Sequence, residues 1–296
     1  MEREKVWFES RGARCAAWHY PAPSGACVVM AGGGGVTKEP GTDRFAARFQ
    51  EAGLSVLAFD YRRLGESGGK PRQVIRVRDQ LDDWDAAIAT ARALPRSDPG
   101  RIALWGFSLS GGHLFRVAAR NRIAAVIAQT PTADGPAAMP NALRHETIGV
   151  IVRMPLLALL DVTRGLLGLR PLTIPLAGPR GAVAMLTTPD AGDGDRALNP
   201  GNRYPDWEQT IAARSVLPIG AYRPGRAARH IAAPLLVVVA DEDRSALAAP
   251  AVAAARRAPR GELFRVPGGH YAPFLDQHES VLDAELHFLR RHLTGG

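Results

Sequence analysis

Three residue types in this 296-residue chain could together carry out nucleophilic chemistry on a carbonyl group: a serine, a histidine and an aspartate. The serine lies in Gly106-Phe107-Ser108-Leu109-Ser110-Gly111-Gly112. The apolar run at residues 102–105, bounded by Asp98-Pro99-Gly100, reads as a buried strand, and residues 114–119 read as a helix. A hydroxyl on that turn would sit at a helix N-terminus, where the dipole favours negative charge. Serine is a poor nucleophile near neutral pH, so it needs a base, and the base needs an orienting carboxylate. His270 is the candidate base. It follows Pro267-Gly268-Gly269, just past a predicted strand, so its ring can reach inward. The apolar run ending at Val239 opens into Ala240-Asp241-Glu242-Asp243-Arg244, which offers three acids; spacing alone does not choose among them. His113 falls on the helix after the serine and is expected to pack or face solvent. His145 lies in an irregular region, where a substrate contact is open to it.

Attack on a carbonyl also needs donors for the charge that develops on its oxygen. The backbone N–H of Leu109, directly after the serine, is one candidate. The other comes from Gly32-Gly33-Gly34-Gly35, which ends the apolar run at residues 26–31. Four glycines let the backbone approach a ligand and point N–H groups at it. Gly34 is the expected donor, with Gly33 next.

The elements that must position these groups follow from hydrophobic periodicity. Residues 6–8 and 14–20 flank Ser10-Arg11-Gly12 and predict an N-terminal β-hairpin. Residues 42–52 and 77–94 have helical spacing; residues 54–59 and 123–128 read as strands. Asp60 and Arg62, in the turn-rich stretch after the second of these runs, read as structural. Strands alternating with helices over residues 26–130 define an α/β protein with a mostly parallel sheet and helices on both faces. The alternation breaks over residues 132–226, where helices are expected near 139–160 and 207–216. It returns with a strand at 234–240, a helix at 246–257, a strand at 262–266 and a helix at 280–292. The expected organisation is a core of residues 1–131 and 227–296 carrying an inserted helical cap at 132–226. Within that cap Leu156, Leu157, Leu159 and Leu160 are expected to line a pocket or pack as core.

The composition narrows the function classes. The chain is 46% hydrophobic with a net charge of +8, but only three of its 37 basic residues are lysine, and the arginines are scattered without interleaved aromatics. That is a solvated surface rather than a nucleic-acid footprint. No apolar stretch follows the first residues as a signal peptide would require, and the apolar segment at 148–160 is too short and interrupted to span a bilayer. The expected location is cytoplasmic. Cys15 and Cys27 lack metal-ligand spacing and read as buried free thiols. The glycine run lacks the G-x-x-x-x-G-K-[ST] ending and the G-x-G-x-x-G context of nucleotide sites. Gly192-Asp193-Gly194-Asp195 lacks the ligand series of a calcium loop. No metal or organic cofactor is expected.

Taken in order, these motifs resemble the α/β-hydrolase superfamily along nearly the whole chain. Gly106 to Ser110 is similar to the G-x-S-x-G nucleophile elbow, with serine at the second glycine position. Residues 28–35 resemble the oxyanion strand and loop, although the family often has His-Gly where this chain has Gly32-Gly33. Asp60-Tyr61-Arg62 with Gly65-Glu66-Ser67-Gly68-Gly69 resembles the D-x-R-x-x-G-x-S-x-G segment. The resemblance implies the chain order Ser, acid, His, with the acid closing a G-x-x-D-like pattern; that favours Asp243, with Asp241 as the alternative. Within the superfamily the chain is similar to bacterial dienelactone-hydrolase-like hydrolases and fungal polyketide transferases. Dienelactone hydrolases carry a cysteine nucleophile, and epoxide hydrolases and haloalkane dehalogenases an aspartate; Ser108 disfavours both chemistries. The implied function is a serine hydrolase of the carboxylesterase or thioesterase type. Acyl transfer or polyketide release on the same triad is the alternative, and non-catalytic binding of a small ligand a second. The implied partner is an apolar small-molecule acyl substrate; the sequence leaves a homodimer open.

Overall fold

The computed structural model describes residues 2–293. In chain order the elements are β1 (Glu4–Ser10), β2 (Ala13–Tyr20), β3 (Cys27–Ala31), α1 (Asp43–Glu51), β4 (Ser55–Phe59), α2 (Val77–Ala93), β5 (Ile102–Phe107), α3 (Leu109–Ala118) and β6 (Ala125–Gln129). Then follow α4 (Gly135–His145), α5 (Ile148–Leu166), β7 (Thr173–Pro175), α6 (Gly194–Leu198), β8 (Thr210–Ala212) and α7 (Val216–Gly220). The chain closes with β9 (Leu235–Ala240), α8 (Ala248–Arg257), β10 (Gly261–Val266) and α9 (His278–Leu293).

Eight strands form one sheet in the order β1-β2-β4-β3-β5-β6-β9-β10. The β1–β2 and β2–β4 pairs are antiparallel and the others parallel. Every residue of β3, β5, β6 and β9 is buried, which is why these strands read as continuous apolar runs. Alternate side chains face opposite layers. Val28, Met30, Trp105 and Ile127 pack with Phe45 of α1 and Phe288 of α9. On the other face Val29, Leu104, Val126 and Val237 pack with Trp84 of α2 and Phe115 of α3. Helices therefore cover both faces. This is the α/β-hydrolase architecture that the sequence implied.

Strand order reverses at β3. The chain passes from β3 to β4 on one side, then crosses to β5 on the other. Ligands in open α/β sheets bind at such a switch point, beyond the carboxyl ends of the strands. Ala31 pairs with Gly106 across it, so the glycine run after β3 and Ser108 after β5 emerge side by side.

The chain between β6 and β9 differs from its sequence reading in three ways. The expected helix at 207–216 is instead β8, a short 3-10 turn at Ala213–Ser215 and α7. Ile211 pairs with Ile174 of β7, and both are buried; consecutive apolar residues fit a two-sided strand as well as a helix. The stretch at 139–160 divides into two helices, with Thr147 capping α5 through the Val150 N–H. Leu156, Leu159 and Leu160 are 61%, 56% and 54% exposed, so they are not core; only Leu157 packs against the core. α5 is apolar nearly all round, and periodicity cannot say which side of such a helix is covered.

A buried ion pair holds this region together. Asp161 of α5 is fully buried; it pairs with the Arg214 side chain and accepts from the N–H groups of Arg214 and Leu172 at 3.0 and 2.8 Å. Removing one member of a buried pair typically costs about 3–5 kcal/mol. Asp161→Ala is expected to lower the urea midpoint accordingly and to open residues 145–215 to limited proteolysis. Unchanged resistance to both would show that α5 is held by apolar packing alone.

Candidate active site

Ser108 sits between β5 and α3 with φ 55° and ψ −117°, a conformation that costs a non-glycine residue on the order of 1–3 kcal/mol. Its neighbours fix it there. Its N–H donates to the Gln129 carbonyl at 3.0 Å, and its carbonyl accepts from Gly112 and Thr132 at 2.9 and 3.0 Å. A Cβ on Gly106 would lie 2.8 Å from the Ser110 carbonyl carbon and 2.9 Å from the Gly111 nitrogen, both backbone atoms that cannot yield.

Ser110, at the position where the motif has glycine, is fully buried and its hydroxyl is used. Trp84 Nε1 donates to the Tyr61 hydroxyl at 2.7 Å, Tyr61 and Ser110 are joined at 2.5 Å, and Ser110 Oγ donates to the Gly32 carbonyl. Trp84 can only donate and the Gly32 carbonyl can only accept, so Tyr61 donates to Ser110 and the chain runs one way, from indole to glycine loop. Ser110→Gly would restore the motif but leave the Tyr61 O–H without its acceptor and the Gly32 carbonyl without the Ser110 donor. Leaving such buried groups unpaired costs about 1–3 kcal/mol. The expected loss should appear in denaturant unfolding; a neutral or stabilising outcome would mean that the relay carries no energy.

The loops after β9 and β10 bring two further groups to the serine. His270 Nε2 lies 3.0 Å from Ser108 Oγ, and its Nδ1 lies 2.7 Å from Asp243 Oδ2. Asp243 Oδ1 accepts from the Ala246 N–H at 2.6 Å, which orients the carboxylate. With Nδ1–H donating to Asp243, Nε2 is free to accept the serine proton. Burial works against the imidazolium, but the Asp243 charge and hydrogen bond, reinforced by Asp190, outweigh it and raise the His270 pKa. Asp241, the alternative acid, is exposed and bound to Arg265 at 2.7 and 2.9 Å, away from the histidine. Glu242 is exposed as well.

Of the two expected N–H donors, Leu109 opens α3, where the first amides have no intrahelical acceptor. Gly34 lines the same cavity as Ser108. Gly33 packs so closely that a Cβ there would come within 3.1 Å of Ser108 Cβ. At Gly35 φ is 76° and a Cβ would lie 2.5 Å from Leu176, so that position admits only glycine.

The cavity holds about 630 Å³. Its walls include Phe107, Leu176, Met185, Leu186, Trp207 and Tyr271, most of them from the chain between β6 and β9. His145 lines it as well, whereas Leu156, Leu157, Leu159 and Leu160 do not. His113 is buried between Gln80 and the Tyr222 hydroxyl; burial, with the charge of Arg116, pushes its pKa down to about 3, so it stays neutral. Burial raises both Cys15 and Cys27 to about 12, which leaves neither thiol a ready nucleophile.

Asp190 gave no signal in the sequence. It lies in a 3-10 turn (Pro189–Asp193) far from both loops in the chain, yet it joins them. Its Oδ2 accepts from the Arg244 and His270 N–H groups at 2.8 and 3.2 Å, and its Oδ1 accepts from Ser245 Oγ at 2.9 Å. Burial disfavours its charge, but the Arg244 N–H, the Thr188 hydroxyl and the charge and N–H of His270 hold its pKa below the ordinary value. A second carboxylate beside His270 favours the imidazolium. Asp190→Asn is therefore expected to move the acidic limb of a pH–rate profile to lower pH, because His270 then loses its proton more easily. A limb that stays in place would mean Asp190 acts only as a tether.

The comparisons with known proteins agree with this architecture. Residues 28–284 match the model of the alpha/beta hydrolase family, and the chain belongs to that family. It is 39% identical to the quorum-quenching protein AidA of Acinetobacter baumannii over 97% of this chain and 94% of that one. It is 28% identical to the polyketide transferase af380 of Aspergillus fumigatus over 99% of both. Among solved structures, the α/β hydrolase GrgF from Penicillium sp. sh18 superposes with a TM-score of 0.81 at 25% identity, covering 99% of each chain. Among the described residues no helix is long and apolar enough to cross a membrane.

Proposed function

We propose that the protein is a serine hydrolase that cleaves a carboxylic ester or thioester through an acyl-enzyme on Ser108. The observation that carries this reading is the unbroken line from Ser108 Oγ through His270 to Asp243, at 3.0 and 2.7 Å, opening on a cavity of about 630 Å³. Ser108 attacks the acyl carbon while His270 Nε2 takes its proton. Asp243 holds the tautomer and stabilises the imidazolium. The amides of Leu109 and Gly34 receive the oxyanion, and each such donor is typically worth about 3 kcal/mol to the transition state. His270 then protonates the departing alcohol or thiol, and later activates water to release the acid. Residues 132–226 serve as the cap, whose apolar walls accept the acyl chain.

Ser108→Ala is expected to slow release of p-nitrophenol from short-chain esters by about 10⁴-fold or more. A wild-type rate in that variant would overturn the mechanism. His270 must be neutral to act as base, and its pKa lies above the ordinary imidazole value. The acidic limb of kcat/KM should accordingly sit above about 6.5; a limb near pH 4 would assign the base elsewhere.

The full-length likeness to a polyketide transferase favours a second reading, in which the acyl group passes to an alcohol or amine rather than to water. Added acceptor alcohol decides between them. Ester product rising at the expense of free acid supports transfer, and free acid alone at high acceptor concentration supports hydrolysis.

A further inference from the structure

The outer face of α5 has no partner among the described residues. Gly149, Val152, Leu156, Leu159, Thr163 and Leu166 are all exposed, and their spacing alternates three and four residues. That spacing places them in one line along a single face of the helix. Val150, Ala158 and Asp161, on the opposite side, are buried against the rest of the protein. Ile148, Leu160 and Leu167 widen the exposed stripe; Ile148 and Leu166 are more than four-fifths exposed.

We propose that this face is the interface of a two-fold symmetric homodimer in which α5 packs antiparallel against α5 of a second copy. Three observations support that occupant. The first is area. The apolar side chains named expose roughly 800 Å², above the 300–600 Å² usual for the largest patch on a monomer and close to the ~800 Å² per partner of a standard interface. The second is self-complementarity, which a two-fold interface requires. With the axis between positions 157 and 158, Leu156 meets the partner's Leu159, Val152 meets the partner's Thr163, and Gly149 meets the partner's Leu166. The most exposed of these side chains thus falls on the residue with none. The third is charge. Arg153 is the one charged residue on the exposed face of α5, and it lies off the axis, so the two guanidinium groups stay apart. A helix lying in a membrane surface would instead present a strongly charged, solvent-facing side opposite its apolar one. The side of α5 opposite the stripe is packed against protein, with Val150, Ala158 and Asp161 buried.

The interface also adjoins the cavity. Glu146, next to the α5 cap, accepts from the Gly181 N–H at 3.3 Å and from the Thr187 hydroxyl, and Thr187 lines the cavity beside His145. Dimer formation would brace that wall from outside. The inference does not rest on the catalytic reading, because none of the stripe residues lines the cavity.

Light scattering coupled to size exclusion on the full-length protein tests it. The wild-type chain is expected to run at dimer mass at micromolar concentration. Leu156→Glu combined with Leu159→Glu is expected to run as a monomer with an unchanged circular-dichroism spectrum. Leu263→Glu, at an exposed position on the edge strand β10, should leave the dimer intact. A wild-type chain that is monomeric at about 100 μM, roughly a hundredfold above the micromolar dissociation constant of a modest interface, would overturn the proposal. So would a dimer broken by Leu263→Glu but not by the double substitution. A monomer that sediments with anionic phosphatidylserine vesicles would assign the face to a lipid surface instead.

Discussion

The pairing of β3 with β5 is the constraint on which the site depends. It sets Ala31 beside Gly106, so two strand ends reach the same edge of the sheet in register. One continues into the glycine loop and the other into Ser108. The strained backbone of Ser108 survives because both strands are buried on both faces and cannot relax. The cost of that conformation is offset by packing far from the site, where Trp105, Phe45 and Phe288 close one layer and Trp84 and Phe115 the other. The same rigidity explains the tie from Ser110 to the Gly32 carbonyl. It joins the elbow to the loop that would receive the oxyanion, so the two cannot drift independently.

Electrostatics organises the second half of the site. His270 is buried, and burial alone would keep its imidazole neutral. Two carboxylates oppose that tendency from different places in the chain. Asp243 acts through the ring, and Asp190 acts through the backbone and through space. Asp190 belongs to the segment between β6 and β9, which also supplies most of the cavity wall. The stretch that walls the cavity therefore also contributes to the charge state of His270, and a change in how that stretch sits should alter both together.

The core was legible because its chemistry is local. Apolar runs bounded by glycine and proline marked the buried strands, and residues just past them marked the loops that converge at the sheet edge. Ser108, His270 and the acidic loop could be picked out on that basis alone. Choosing Asp243 over Asp241 needed the family resemblance, since both lie in one turn and only the fold decides which points inward. Asp190 could not be read at all. Its partners are some 50 and 80 residues away in sequence, and no strand or helix period runs through it. The exposure of the outer leucines of α5 is hidden from the sequence for a related reason: composition shows that a helix is apolar, but only the packed structure shows which side is left uncovered.

The central claim is that an acyl group passes through Ser108. The most direct test is to acid-quench wild-type protein milliseconds after mixing it with a slowly hydrolysed ester or thioester, then to map the adduct by peptide mass spectrometry. The expected result is one acyl group on the peptide containing Ser108, formed and lost at rates that account for turnover. Turnover with no adduct, or with the acyl group on another residue, would contradict the assignment.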